Sequence, residues 1–209
     1  FFFDTMISVS IYCDSKEQGE KLLDEVFAMC GGYENTFSRT KEESELYRLN
    51  HRTENEVSVS DDLYALLACA KEYYDKTDGR FDISVAPLSD IWDFKSENPK
   101  VPDAGQIKKV LEKVDYSLVH LEPDNTVRFD EQDTMLDLGA LAKGYIADRL
   151  KEYLVSQGIE SGFINLGGNV LTIGEKEDGS PWEIGIQKPF AERNKIVSYV
   201  DSVGTSVVS

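Results

Sequence analysis

The sequence is poor in the residues that usually announce a metal or redox centre. It contains three cysteines and two histidines. Cys13, Cys30 and Cys69 are scattered, with no C-x-x-C pair. Each falls in a strand- or helix-like run, so they read as buried thiols that neither require nor exclude an oxidising compartment. His51 and His120 have no partner at metal-ligand spacing, which argues against a histidine-based zinc site. Neither a Walker nor a dinucleotide glycine fingerprint occurs, so NTPase and dehydrogenase readings lose their main support. Basic residues are scarce as well: 22 Lys and Arg against 39 Asp and Glu leave a formal net charge of −17. A surface of that sign repels nucleic acid and anionic lipid, and neither is expected as a partner. A phosphate-bearing ligand would need a local basic group or a cation to offset the background. No transmembrane run, signal-peptide pattern, lipidation motif, internal repeat or low-complexity segment is found. Both ends lie in strand-like sequence, Phe1-Phe2-Phe3 and Val207-Val208-Ser209, where natural termini are usually polar. The chain is therefore expected to be a fragment.

What is present is enough for folding: 209 residues at 41 % hydrophobic content can bury one sizeable core, or two small ones sharing an interface. Alternation predicts a half-buried strand over residues 5–12, and an amphipathic stripe predicts a helix over 16–30, closed by Gly31-Gly32. A short capped helix is expected at 44–50 and a brief strand at 57–60. Residues 61–77 form a clear helix with Leu63, Leu66, Leu67, Ala70, Tyr73 and Tyr74 on one face, ended by Asp78-Gly79. Residues 80–88 read as extended toward Ile91-Trp92-Asp93-Phe94, whose aromatics are expected in the core. An exposed loop over 95–103 precedes a helix at 104–113. Strands at 117–121 and 126–129 are joined by the turn Glu122-Pro123-Asp124-Asn125. Residues 162–170 form a strand broken by a glycine pair, Asp178-Gly179 marks a hairpin turn into 181–187, and a further strand covers 195–200. Strands outnumber helices and alternate irregularly with them, so the class is α+β.

One stretch stands out, L-D-L-G-A-L-A-K-G-Y-I-A-D over residues 136–148. A short strand over 134–138 carries Asp137 and runs into Gly139, where the backbone is free to turn tightly. Leu138, Leu141, Ala142, Tyr145, Ile146, Leu150 and Leu154 then mark a helix whose first turns hold Lys143. The start of a helix, with its unpaired N–H groups, suits a phosphate, and Gly144 would let another segment or a ligand approach closely. The same spacing equally suits a joint with a capping carboxylate and a solvated lysine. From the residues alone the reading stops at an α+β domain with a glycine-lined anion or nucleotide site formed by residues 137–143 and 165–169.

Five motifs in order carry a resemblance. They are F-S-R-T…S-E-L-Y-R-L-N, D-G-R-F-D-I-S-V-A-P-L…I-W-D-F, the stretch just quoted, F-I-N-L-G-G-N-V, and P-W-E-I-G-I-Q-K-P. Together they resemble the FAD:protein FMN transferase family, the ApbE-like flavin transferases, over essentially all 209 residues. The resemblance implies an ApbE-like α+β fold with mixed or antiparallel sheets packed with helices, here as a single FAD-binding domain over 1–209. It implies binding of FAD and Mg²⁺-dependent transfer of its FMN half to a Thr or Ser hydroxyl of a target protein, with release of AMP. The alternatives are hydrolysis of FAD to FMN and AMP, or FAD binding without turnover. Asp137 and Lys143 would contact FAD, and the Ala140 backbone carbonyl would be a magnesium ligand. Arg80, Phe81 and Asp82 would line the flavin site together with Phe3 and Thr40, and residues 165–169 would form a wall near the dinucleotide. Thr40 stands where some relatives have a stacking tyrosine, and Phe3 where a methionine is common. The family continues through a T-S-G-D-Y-like and an H-x-I-x-D-P-like segment that these residues lack. The side-chain magnesium ligands and the catalytic His and Asp are thus expected outside the chain, which alone should have little or no transferase activity. Asp137 is the one candidate for a general base, and it reads better as a binding residue. The resemblance further implies an acceptor belonging to an electron-transport complex, and an extracytoplasmic location, membrane-anchored as a lipoprotein.

Overall fold

A computed structural model describes residues 2–93, 97, 99–192 and 195–208. In chain order the elements are β1 (Ile7–Ile11), α1 (Lys16–Phe37), α2 (Glu45–Asn50), β2 (Glu56–Ser58), α3 (Asp61–Lys76), α4 (Ala86–Trp92), α5 (Ala104–Leu111), β3 (Val119–Glu122), β4 (Thr126–Phe129), α6 (Gly139–Ser156), β5 (Gly162–Leu166), β6 (Asn169–Ile173), β7 (Trp182–Gln187), β8 (Ile196–Ser202) and β9 (Ser206–Val208). Every strand pairing is antiparallel among the described residues. Helices with antiparallel sheets make the chain α+β. The chain divides into two compact units, Phe1–Tyr33 with Lys143–Ser209, and Glu34–Ala142, the divisions falling within α1 and near the start of α6. Among the described residues no helix is long and apolar enough to cross a membrane.

The first unit is built on a sheet of order β1-β5-β6-β9. Strands β5 and β6 meet at Leu166↔Asn169, leaving Gly167-Gly168 as a two-residue turn. Both glycines have positive φ, +62° and +96°, as the primed turns of tight hairpins require. Ile146, Ala147, Leu150 and Leu154 of α6 are buried, as are Leu22, Val26 and Cys30 of α1. The Tyr153 hydroxyl donates to Glu25 of α1. Strands β7 and β8 form a separate two-stranded sheet. Trp182 stands edge-on to Phe163, ring centres 5.4 Å apart.

The second unit holds the sheet β2-β4-β3. Its core comprises Leu63, Leu66, Leu67 and Ala70 of α3 with Val127 and Phe129 of β4. Tyr116 is fully buried, its hydroxyl donating to the Leu67 carbonyl at 3.0 Å. Burial, with Asp82 and Asp75 nearby, pushes its phenol well above the usual range.

Several sequence expectations need correcting. Helix α1 runs through Gly31-Gly32 to Phe37; neither glycine takes a positive φ, and the apolar face continues to the buried Phe37. Residues 134–138 are not a strand: Leu136 and the Thr134 carbonyl bond to the side chains of Asn50 and Arg52, and the single bond from the Asp137 N–H to the Ile83 carbonyl makes no ladder. The extended reading of 80–88 gives way to a 3-10 turn, Ile83–Val85, followed by α4. Asp82 starts it by accepting the Ser84 N–H at 2.7 Å, and Pro87 sits in the first turn of α4, where its missing N–H costs nothing. Ile91 and Trp92 are half-buried rather than core, and Phe94, like most of residues 95–98, lies outside the described residues. Tyr73 is 45 % exposed. The strand at 117–121 begins as a 3-10 turn, Tyr116–Leu118, capped by Asp115. The Asp178-Gly179 turn forms, but β7 pairs with β8 instead of returning along β6. Of the thiols only Cys30 is buried; Cys13 is exposed and Cys69 intermediate.

Candidate functional site

In the second unit the site is organised on the segment leading into α6. Asn50, the last residue of α2, donates from Nδ2 to the Leu136 carbonyl and accepts the Leu136 N–H on Oδ1, each at 2.8 Å. The Arg52 guanidinium donates to the carbonyls of Thr134, Glu131 and Gln132 at 2.8, 2.8 and 3.1 Å. It lies 3.4 Å from the centre of the Phe129 ring. Burial pulls its pKa down to about 10, with Asp133 opposing, so it stays charged at neutral pH. The Asp137 N–H then donates to the Ile83 carbonyl at 2.7 Å. The backbone is thereby set residue by residue up to Asp137.

The Asp137 carboxylate is likewise held. Oδ1 accepts the Gly139 N–H at 2.8 Å, and Oδ2 lies 2.9 Å from Arg39 Nε. Arg39 Nη1 donates to Asp90 of α4 at 2.6 Å. Gly139 does not take a positive φ; its use is space, since a Cβ there would stand 3.0 Å from Asp137 Oδ1.

Asp82 reaches the same neighbourhood through Ile83, but its oxygens are occupied. Oδ1 accepts from the Ser84 N–H and hydroxyl, and Oδ2 from the Tyr116 N–H at 3.1 Å. It acts as the cap that ends the D-G-R-F-D turn. Phe81 is half-buried, its ring 5.8 Å from that of Tyr73, and Arg80 is exposed. Thr40, next to Arg39, is exposed, with its N–H donated to Ser38 Oγ. Thr40, Asp82 and Asp137 are therefore each within one residue of the groups that meet at Arg39 and Ile83. Arg39 itself is the residue sequence reasoning missed. It stands inside F-S-R-T, and only the fold places its carboxylate partners, Asp90 and Asp137.

Lys143, Phe3 and residues 165–169 belong to the first unit. Lys143, four residues into α6 from Gly139, is half-buried and makes no ion pair among the described residues. Gly144 faces Asn169, whose Nδ2 would lie 3.9 Å from an added Cβ, an ordinary contact. Asn169 is buried and its Oδ1 accepts the Ser206 hydroxyl at 2.7 Å. Asn165 Oδ1 accepts the Gly168 N–H at 3.0 Å and so closes the hairpin turn. Phe3 sits in a tight turn bridged by Phe2 and Thr5, with φ +54°. Thr5 fills the space beneath Gly167, so this turn and the hairpin adjoin.

A metal fits these residues only in part. Among them no group of three or more His, Cys, Asp or Glu is arranged to hold an ion. Ala140 is an exposed residue in the first turn of α6, and a carbonyl oxygen has a second lone pair beyond its helical bond. Magnesium needs an octahedron of oxygens with carboxylate among them, which one carbonyl does not supply.

A family model described as the ApbE family matches residues 3–208. An FAD:protein FMN transferase of Klebsiella pneumoniae (strain 342) is 37 % identical over 192 residues, covering 91 % of this chain and 59 % of that protein. One from Treponema pallidum (strain Nichols) is 30 % identical over 202 residues, covering 90 % and 56 %. Among solved structures, the ApbE protein from Thermotoga maritima superposes with a TM-score of 0.86 at 28 % identity, over 99 % of this chain and 67 % of that one. The flavin transferase ApbE from Vibrio cholerae gives 0.81 at 27 %, over 90 % and 62 %. The chain spans about six-tenths of the length of these curated relatives.

Proposed function

The chain belongs to the ApbE family, and from that premise we propose that it works as the FAD-binding part of an FAD:protein FMN transferase. The observation that carries the reading is Lys143. A half-buried lysine without an ion pair among the described residues, in a chain of net charge −17, is a local exception to the field around it. Its chemistry suits the FAD pyrophosphate, which it would bind and whose charge it would offset as bonds change. Asp137 enters as an FAD contact on the family resemblance alone; its carboxylate, held by the Gly139 N–H and Arg39, keeps lone pairs that could accept hydrogen bonds. Gly144 keeps the helix surface next to Lys143 free of side chain.

In the proposed reaction the hydroxyl oxygen of an acceptor Thr or Ser attacks the phosphorus of the FMN half. The bond from that phosphorus to the bridging oxygen breaks, AMP departs with the bond electrons, and the hydroxyl proton passes to a base. The residues at hand bind and orient FAD. The base for the proton is assigned to none of them, since Asp137 already has both oxygens engaged. Magnesium would supply charge neutralisation at the phosphates, with the Ala140 carbonyl as one ligand. The acceptor would be a subunit of an electron-transport complex, and the location extracytoplasmic with a lipid anchor; both rest on the family resemblance.

Flavin fluorescence titration of FAD into this chain tests the binding step, followed by mass spectrometry of a threonine-containing acceptor with and without Mg²⁺. Lys143→Ala should weaken FAD binding about tenfold with an unchanged circular dichroism spectrum. Acceptor carrying FMN after denaturation supports transfer. Free FMN and AMP without acceptor would mean hydrolysis, and absence of FAD binding would remove the reading altogether.

A further inference from the structure

The backbone around Asp137 is secured without Arg39. Asn50 holds Leu136, the Ile83 carbonyl holds the Asp137 N–H, and Arg52 holds the carbonyls upstream. What those contacts leave open is the rotation of the Asp137 carboxylate. The Gly139 N–H fixes one oxygen, and Arg39 Nε at 2.9 Å from Oδ2 fixes the other. The guanidinium is planar and presents Nε and Nη1 in a rigid fork. Because Nη1 is anchored on Asp90 Oδ1 at 2.6 Å, the plane of the fork is set by α4, and Nε is aimed at Asp137 by that plane. The side chains of Arg39 and Asp137 are 24 % and 23 % exposed, so the pair is partly shielded, unlike the surface pairs along α1 and α3.

We propose that Arg39 is a positioning residue for FAD binding, with Asp90 as its anchor. It orients the Asp137 carboxylate so that its free lone pairs meet the ligand, and it keeps two neighbouring carboxylates from repelling an already anionic ligand. This assignment rests on the reading of Asp137 as an FAD contact. It goes beyond that reading in naming a residue to which the resemblance gives no role, and in requiring a guanidinium: an ammonium is a single point charge and cannot hold two carboxylates in one plane.

The test is a double-mutant cycle on FAD affinity, read by fluorescence titration of this chain. Arg39→Gln should weaken FAD binding about tenfold. In an Asp137→Asn background the same substitution should add less than about twofold, because its target is already changed. Arg39→Lys should recover less than half of the loss. Circular dichroism and thermal midpoints monitor folding; if Arg39→Gln does not fold, Arg39→Lys in both backgrounds carries the same comparison. If the unsubstituted chain binds FAD and Arg39→Gln or Arg39→Lys binds it equally well, Arg39 is a structural ion pair and the proposal fails alone. If the two losses multiply, Arg39 acts independently of Asp137 and the proposal again fails. If the unsubstituted chain binds no FAD, the functional reading fails and takes this assignment with it.

Discussion

Asn50 and Leu136, 86 positions apart, exchange two hydrogen bonds of the kind that paired strands make. The Leu136 N–H donates to Oδ1 and Nδ2 donates to the Leu136 carbonyl, both at 2.8 Å, with both residues buried. A carboxamide is the side chain that offers donor and acceptor side by side, so it can stand in for a strand. Asn50→Ala leaves two backbone groups unpaired away from water, and should cost about 2–4 kcal/mol in urea-unfolding stability. A loss below about 1 kcal/mol would show that water replaces the amide there.

The hairpin between β5 and β6 and the turn before β7 separate two reasons for glycine. Gly167 combines φ +62° with Thr5 Oγ1 only 2.3 Å from an added Cβ, whereas Gly179 has φ +76° and open space. Gly179→Ala should cost about 1–2 kcal/mol, the left-handed penalty alone. Gly167→Ala should cost about 2–4 kcal/mol, because overpacking adds to it. Thr5→Gly in that background should return part of the difference, measured as non-additivity in a thermal-unfolding cycle. Equal costs at the two glycines would contradict the close approach of Thr5.

Gly144 offers a cleaner separation of stability from ligand binding. The nearest atom to an added Cβ is Asn169 Nδ2 at 3.9 Å, so a methyl fits, and alanine favours a helix interior by up to about 1 kcal/mol. Gly144→Ala should leave the thermal midpoint unchanged or raise it. FAD affinity should fall nonetheless, since the methyl occupies surface next to Lys143; unchanged affinity would place the ligand elsewhere.

Acid sensitivity should involve Asp130. Its carboxyl is held below the usual range, first by the hydrogen bond with His120 Nε2 at 2.7 Å and then by Arg128. A folded value below the unfolded one means that the carboxylate adds stability above about pH 4. That contribution is lost as pH falls through the lower, folded value. Asp130→Asn should therefore be less stable than the unsubstituted chain at pH 6, and the gap should close as acidification protonates the folded carboxylate. A gap that persists in acid would mean the effect is not the charge.

Where local pattern and local chemistry coincide, the chain is readable without coordinates. Leu63, Leu66, Leu67 and Ala70 repeat at helical spacing and are all buried, and Ser44 and Ser60 cap the helices they precede. Gly167-Gly168, expected as a break within one strand, instead turns the chain back on itself as a hairpin between β5 and β6. The ordered motifs pointed to the ApbE family, and the family model covers residues 3–208. Legibility failed where hydrogen-bond partners are distant. Residues 134–138 look like a strand because they are short and apolar, yet Leu136 and the Thr134 carbonyl are held by the side chains of Asn50 and Arg52, 86 and 82 positions away. Gly31-Gly32 looks like a helix end, but glycine permits a stop without imposing one, and α1 continues to the buried Phe37.

The amphipathic and capped helices and the family follow from the sequence by itself, because periodicity, capping and motif order act over a few residues at a time; α4 and the end of α1 do not. The pairing of Arg39 with Asp90 and Asp137, and the support of Leu136 by Asn50, were decided only in the tertiary structure. Charge and hydrogen-bond partners separated by tens of residues leave no periodic trace. Folding alone brings them within 3 Å, where orientation rather than composition sets what a side chain can do.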